Sequence, residues 1–326
     1  MKQPSSTVTI EAQPSAPAPV SPVPPAPTVS PAPATARPVD AMLEYLFDLR
    51  GYVVLKGALD RDHLAQLNGS LDHIMGLTPP LRAGEWYGCV HAHSFGGKDG
   101  TNLQQIYEAG EPFERLIDHP NWFELVKHFV GGKNTFDWHH GPLFIDENFA
   151  NLRGPGEAIG IHSGGHEHTK RGQFRFHNYK FQCGQVNVLM ALGDIGPGDG
   201  ATMLIPGSHK SNLEHPQFRQ NMIRPGEATS ADSVAGAIEV HLDAGDALLF
   251  VDACCHGSAK RVNPGQRRII VYRYGPSWGN FRHPYYPSRE LLERLTPTQR
   301  QVVLPQGPIK REPNRLPGTP NPPHAI

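Results

Sequence analysis

The chain is poor in cysteine, with four in 326 residues and no C-x-x-C pair. Cys254 and Cys255 are adjacent and badly placed to bridge each other, so a disulfide framework is not expected and a reducing compartment, the cytoplasm, fits. No apolar run approaches the ~20 residues that cross a bilayer, which excludes a membrane-spanning helix. Charge of one sign is also missing. Thirty Lys and Arg against thirty-one Asp and Glu leave a net charge of −1. That balance argues against nucleic acid or an acidic membrane surface as partner. The first forty residues lack glycine and aromatic side chains and contain eleven prolines. Such a segment buries too little apolar area to offset its chain entropy, so residues 1–40 are expected to be a disordered tail.

What the remainder holds is helices first and strands afterwards. Leu43, Leu46 and Leu49 recur at helical spacing, and Tyr52 to Leu55 reads as a short strand. Asp60 caps a second helix with Leu64, Leu67 and Leu71 on one face. Residues 76–110 are glycine-rich and irregular. Another helical pattern runs from Pro112 to Val130, split by Pro120. From residue 134 onwards short β-rich runs alternate with Gly, Pro and Asp clusters: 136–138, 184–189, 201–205, 247–251 and 269–272. This order predicts a mainly β antiparallel sandwich or jelly roll with an N-terminal helical buttress. One domain over 41–300 is expected, followed by an extended proline-rich arm over 301–326.

Two histidines stand where rigid strand meets loop. His162 follows Ala158-Ile159-Gly160-Ile161, and His256 follows the apolar run Ala247 to Val251 through Asp252-Ala253-Cys254-Cys255. Imidazole nitrogen suits iron, zinc, copper or nickel. Among eighteen histidines, spacing alone equally describes two hydrogen-bonded histidines at sheet edges.

The surrounding text is more specific. Gly198 to Lys210 ends in Pro206-Gly207-Ser208-His209, Asp243 to Phe250 is a Gly-Asp-apolar-Phe strand, and His256-Gly257-Ser258 is followed by Arg267 eleven residues after the histidine. In these segments the chain resembles the phytanoyl-CoA dioxygenase family of iron(II)- and 2-oxoglutarate-dependent oxygenases, over roughly residues 40–280. The resemblance implies a double-stranded β-helix, cupin-like core, with iron(II), 2-oxoglutarate as cosubstrate, dioxygen and a small-molecule substrate. It also implies His162 and His256 as metal ligands, and Arg267 with Ser258 as the anchor for the far carboxylate of 2-oxoglutarate. A guanidinium presents a planar fork to a carboxylate. Strand alternation turns Arg267 and Arg268 to opposite faces, so only one of them points inwards; the family spacing selects Arg267.

One position departs from the family pattern. The proximal motif is His-x-acid, and here it reads His162-Ser163-Gly164. Glycine offers no ligand atom. Water or Glu167 completes the shell of a hydroxylase, a halide completes that of a radical halogenase, or the protein is a catalytically silent binding module. A zinc hydrolase built on His162, His166 and His168 with Glu167 as base is a further alternative, although it gives no role to Arg267. Trp138-His139-His140 is a candidate pocket lining, His209 a turn-shaping residue, and Asp252 a group that orients a ligand. Lys170, Arg171, Arg175 and Lys180 form either a basic lid over an anionic substrate or a solvated loop. Nothing in the sequence selects a CoA thioester, a particular substrate or an oligomeric state.

Overall fold

A computed structural model describes residues 28–29, 36–93, 100–131, 140–156, 158–167, 169–217, 233–282, 286–304 and 307. The expected strand at 136–138, His168 and most of both expected tails lie outside these residues. In chain order the strands are β1 (Thr28–Val29), β2 (Tyr52–Leu55), β3 (Trp86–Tyr87), β4 (Val90–His93), β5 (Thr101–Gln104), β6 (Leu143–Arg153), β7 (Ile159–His162), β8 (Phe176–His177), β9 (Lys180–Phe181), β10 (Val186–Ala191), β11 (Thr202–Leu204), β12 (Ile238–Val240), β13 (Ala247–Val251), β14 (His256–Ser258) and β15 (Arg267–Pro276). The helices are α1 (Ala41–Arg50), α2 (Arg61–Met75), α3 (Glu111–Glu114), α4 (Phe123–Val130), α5 (Arg289–Arg294) and α6 (Pro297–Val303).

The strands make a mainly β jelly roll. The larger sheet runs β1-β2-β13-β10-β15-β6-β5-β4-β3 and the smaller one β12-β11-β14-β7. The pairings are antiparallel except β1 with β2.

The helical buttress forms where local chemistry asks for it. Asp40 caps α1 by accepting from Leu43 N at 2.8 Å, and Asp60 caps α2 by accepting from His63 N at 2.7 Å; each cap is worth about 1 kcal/mol. Gly51 ends α1 in the left-handed region at φ 82°. A Cβ there would stand 2.6 Å from His209 Nδ1, so the Pro-Gly-Ser-His turn packs directly against the helix end. His209 Nε2 also donates to Asp48 O at 3.0 Å, the turn-shaping role expected of it. The helices cover the outer face of the larger sheet. Tyr272 and Tyr274 on β15 donate their buried hydroxyls to Phe113 O at 2.7 Å and Leu116 O at 2.9 Å.

Both chain ends extend the packed unit past the expected boundaries. Arg37 is buried and its N–H donates to Pro120 O at 2.9 Å. At the other end, Thr296 and Gln299 form a reciprocal capping box, and α6 runs through residue 300 with Val302 and Val303 buried. The Thr-x-x-Gln cap and the proline at the helix start lie just before 301, and the helix they begin carries over into the segment expected to be extended. Among the described residues no helix is long and apolar enough to cross a membrane.

Candidate active site

A cavity of about 290 Å³ lies between the two sheets. His162 on β7 and His256 on β14 are register partners of the smaller sheet, with ring centroids 4.2 Å apart, and both line the cavity. His162 Nδ1 donates to Gly160 O at 3.0 Å, and His256 Nδ1 donates to Cys254 O at 2.7 Å. A carbonyl can only accept, so each Nδ1 carries the proton and each Nε2 keeps its lone pair. Burial and the neighbouring His162 push the His256 pKa down to about 3, and burial lowers that of His162. Both rings are therefore neutral at ordinary pH, which is the ligating form of imidazole.

Arg267 closes one end of the cavity. Alternation along β15 brings Arg267, Ile269, Val271 and Arg273 to the cavity face. Arg268 points the other way and pairs with Asp72 on α2 at 2.7 Å. The Arg267 residue is 4% exposed and donates to Gly200 O and, at 3.4 Å, to Asn151 Oδ1. Burial, with Arg153 and Arg261 nearby, pushes its pKa well below the usual arginine value. Among the described residues it has no carboxylate partner. Ser258 Oγ accepts from Arg153 Nη1 at 2.7 Å and from Ile159 N at 3.1 Å. Both of its lone pairs are thus engaged, and its O–H is left to donate into the cavity. Arg153, which no sequence motif marks, is a buried member of this end.

The acid position is built differently from a carboxylate site. Ser163 and Gly164 have φ 63° and 142°, so the chain leaves His162 through conformations that glycine tolerates. A Cβ on Gly164 would stand 2.5 Å from His166 Nδ1 and 3.0 Å from Cys255 Sγ. Glu167 does not reach the histidine pair. Its N–H closes a turn onto Gly164 O at 3.1 Å, and it lies beside the Cys255 thiol. Among the described residues no three His, Cys, Asp or Glu side chains are grouped to hold a metal ion; His168 of the zinc alternative lies outside these residues. The two imidazoles nevertheless suit a metal that takes its other ligands from solution.

Part of the cavity wall is charged, with Glu147, Arg171, Arg273 and Arg282 lining it and Asp252 behind them. Asp252 is 1% exposed; its Oδ2 accepts from Arg171 Nε at 3.0 Å and its Oδ1 from Asn187 Nδ2 at 3.2 Å. Arg273 and Arg282 flank it, and both also meet Glu147 Oε2 at 3.2 Å. Burial works against ionisation of Asp252, but His256, Arg273, Arg282 and Arg171 outweigh it and hold the carboxyl below its ordinary range. Of the four basic loop residues in the sequence, Arg171 is the one that lines the cavity. Arg273 was legible in principle, because it shares a strand face with Arg267. Glu147 and Arg282 carry no sequence signal.

A model of the phytanoyl-CoA dioxygenase (PhyH) family matches residues 47–269. The dioxygenase cdmD of Talaromyces verruculosus is 23% identical over 266 residues, covering 78% of this chain and 80% of its own. Among solved structures, HygX from Streptomyces hygroscopicus with nickel and 2-oxoglutarate bound matches with a TM-score of 0.60 at 19% identity, over 83% of this chain and 98% of HygX. The iron-bound form of HygX gives a TM-score of 0.57 at 21% identity, over 82% and 96%. The family match spans more than half of the chain, and it falls on the strands that carry His162, His256 and Arg267: the chain belongs to the phytanoyl-CoA dioxygenase family and is an iron(II)- and 2-oxoglutarate-dependent dioxygenase.

Proposed function

We propose that this enzyme hydroxylates a small molecule, with iron(II) held by His162 and His256 and the far carboxylate of 2-oxoglutarate held by Arg267 and Ser258. The observation that carries this reading is Arg267, a buried guanidinium with no carboxylate partner among the described residues, in the cavity that both imidazoles line. A buried cation is costly unless an anion joins it. When bound, iron(II) with 2-oxoglutarate and dioxygen supplies oxidative decarboxylation of the keto acid to succinate, coupled to oxidation of a substrate C–H bond. The chain's part is positioning. Carbonyl acceptors at Gly160 and Cys254 fix the imidazole tautomers, and Arg153 with Ile159 N–H orients the Ser258 hydroxyl. The His166 ring and Cys255 thiol fill the space beside Gly164, which favours water over a halide as the exogenous ligand and hydroxylation over halogenation. The free cysteines, three of them buried, suit the cytoplasm.

The test is anaerobic iron(II) binding to wild type, His162→Ala and His256→Ala. Tight binding of about one equivalent is expected in wild type and in neither variant, because a shell with two protein ligands cannot spare one. Addition of 2-oxoglutarate should then develop a visible charge-transfer absorption, and oxygen should give succinate. Full iron occupancy in the doubly substituted protein would sink the assignment.

A further inference from the structure

The charged wall of the cavity is self-contained. Three guanidiniums, Arg171, Arg273 and Arg282, face three carboxyl groups, Asp146, Glu147 and Asp252. Asp146 is fully buried and accepts from the Phe281 and Arg282 N–H groups at 2.8 and 3.1 Å. A wall balanced in this way asks for no charge from a ligand, because a further ion would lose its water without gaining a partner of its own.

Beside that wall stands a donor with a fixed direction. Glu147 Oε2 lies 3.2 Å from Arg273 Nε and from Arg282 Nε, which leaves Oε1 to accept from Gln104 Nε2 at 3.1 Å. A carboxylate only accepts, so this contact fixes which end of the Gln104 amide is the nitrogen. The same Nε2 donates its second hydrogen to Asn102 at 3.1 Å, so the Asn102 atom that receives it is Oδ1. The Nδ2 end of Asn102 is then left to the cavity. Asn102 is 4% exposed and lines the cavity, and among the described residues nothing accepts from its Nδ2. A buried N–H without an acceptor is costly, so a ligand that brings one is favoured.

The position of Asn102 separates it from the cosubstrate end. Its register partner on β6, Asn151, turns Oδ1 to Arg267 Nη2 at 3.4 Å. Asn102 sits one strand further out, on β5, two strands or about 10 Å from the strand of Arg267. The same sheet face continues onto β4. There His93 and His91 are the half-buried register partners of Asn102 and Gln104, and Val90 and Ala92, which alternate with them, turn into the core.

From this arrangement we infer that the substrate is an uncharged molecule with a carbonyl oxygen that accepts from Asn102 Nδ2, its remainder lying over the imidazoles of His91 and His93. The inference deepens the oxygenase reading of this cavity and rests on it. A carbonyl only accepts, which matches a site whose open group is a donor; a hydroxyl brings a donor of its own that also needs a partner. The cavity, at about 290 Å³, sits at the lower end of the range for small-molecule sites, roughly 300–1,000 Å³. 2-Oxoglutarate takes part of that space, so the carbonyl end enters and the rest of the substrate follows the face of β4. Gln104 and Glu147 are positioning residues, acting through the direction they give the Asn102 amide.

The experiment titrates acetophenone, 1-phenylethanol and benzoate into the full chain loaded anaerobically with iron(II) and 2-oxoglutarate. Heat and the charge-transfer absorption are the two readouts. Acetophenone should bind, perturb the absorption and bind more tightly than benzoate. Asn102→Asp keeps the oxygen that faces Gln104 and puts a second oxygen in place of Nδ2. It should weaken acetophenone at least tenfold, since a hydrogen bond gives way to two facing acceptors. In the same variant 1-phenylethanol, which donates to the new oxygen, should stay within threefold and 2-oxoglutarate within twofold. General damage to the cavity would lower ketone and alcohol together. Should Asn102→Asp fold poorly, Gln104→Leu tests the relay: it frees the amide to turn, so acetophenone should lose more affinity than 1-phenylethanol. Tighter binding of benzoate, no binding of acetophenone, or parallel losses of ketone and alcohol overturns the inference. A loss confined to 2-oxoglutarate assigns Asn102 to the cosubstrate and overturns it as well. Failure of the absorption to develop strikes the oxygenase reading instead. Acetophenone binding to the metal-free protein then decides the site: it must fall in Asn102→Asp and survive Arg267→Gln, and any other pattern overturns it.

Discussion

Arg153 and Arg267 stand opposite each other on β6 and β15, and both guanidiniums turn to the same carbonyl, that of Gly200. Arg153 continues to Ser258 Oγ at 2.7 Å and Ala259 O at 2.9 Å, so it links the larger sheet to the smaller. Arg267 is left as the member that faces the cavity. Two cations buried side by side repel, and an incoming dicarboxylate relieves that repulsion only if the pair is held rigidly beforehand.

Arg267→Ala should therefore weaken 2-oxoglutarate by about 2–5 kcal/mol, the usual cost of truncating one partner of a buried charge pair. Arg268→Ala should change it by no more than a few-fold, because Arg268 faces α2 and pairs with Asp72. Titration of 2-oxoglutarate into the iron-loaded variants checks both. An exchange of the two effects would mean that the cavity face of β15 is assigned one residue out of register.

Arg153→Met should act through Ser258. Without its Arg153 donor the hydroxyl gains freedom, and 2-oxoglutarate should lose about 1.5–3 kcal/mol, the worth of a hydrogen bond to a charged group. Ser258→Ala should cost less, and in the Arg153→Met background it should cost almost nothing, since coupled groups are not additive. Iron(II) affinity should stay unchanged throughout. Full additivity in this double-mutant cycle would show that Arg153 does not position Ser258.

The cores of β10, β13 and β15 are legible because they are apolar runs bounded by turn residues, and Asp60 marks α2 as a helix start. The eleven-residue strand β6 is not. It reads Leu-Phe-Ile-Asp-Glu-Asn-Phe-Ala-Asn-Leu-Arg, and Asp, Asn and Glu are depleted in strands. Those polar residues are there because β6 lines a polar cavity: Glu147 and Asn151 face it, Arg153 reaches Ser258, and Asn148 Oδ1 accepts from Tyr107 N at 3.0 Å. The same demand hid Glu147 and Arg153 as site residues. His162, His256 and Arg267 were readable through the family resemblance of the segments that carry them, and only the step from His256 to Arg267 runs along a single strand-turn-strand path. The charged cluster was not, because Arg171, Asp252, Arg273 and Arg282 come together only through tertiary packing.

Acid should destabilise the metal-free protein before the carboxylates titrate. Burial lowers the pKa of His119 to about 3 and of His209 to about 4, and that of His63 as well, against 6.5 when unfolded. Below pH 6.5 the unfolded chain takes up protons that the folded chain refuses, so stability falls as pH falls through this window. Each such group contributes a slope of up to about 1.4 kcal/mol per pH unit. Asp118 and Asp146, raised above 3.8 by burial, act in the opposite sense, stabilising the fold only below their raised values. Urea unfolding between pH 7 and 5 should show the decline, and His119→Gln should flatten it. An unchanged slope in that variant would remove His119 from the explanation.

Placing a carboxylate at Gly164 should not rebuild the usual metal triad. The backbone there has φ 142°, which costs an L-residue about 1–3 kcal/mol. A Cβ would also meet His166 Nδ1 at 2.5 Å and Cys255 Sγ at 3.0 Å, and forced overpacking costs about 1–3 kcal/mol more. Gly164→Asp should thus lower stability by about 2–6 kcal/mol and leave iron(II) affinity no higher than in wild type. Replacing His166 by Ala in the same chain should recover the steric share of that loss and leave the backbone share, because the left-handed φ belongs to the turn and not to the imidazole. Since the imidazole and thiol already fill the space beside Gly164, adding chloride or bromide to the wild type should leave succinate formation unchanged. Tighter iron binding by Gly164→Asp at full stability, or wild-type turnover that rises with halide, would mean that the space beside Gly164 opens when metal binds, and would bring back the halogenase assignment.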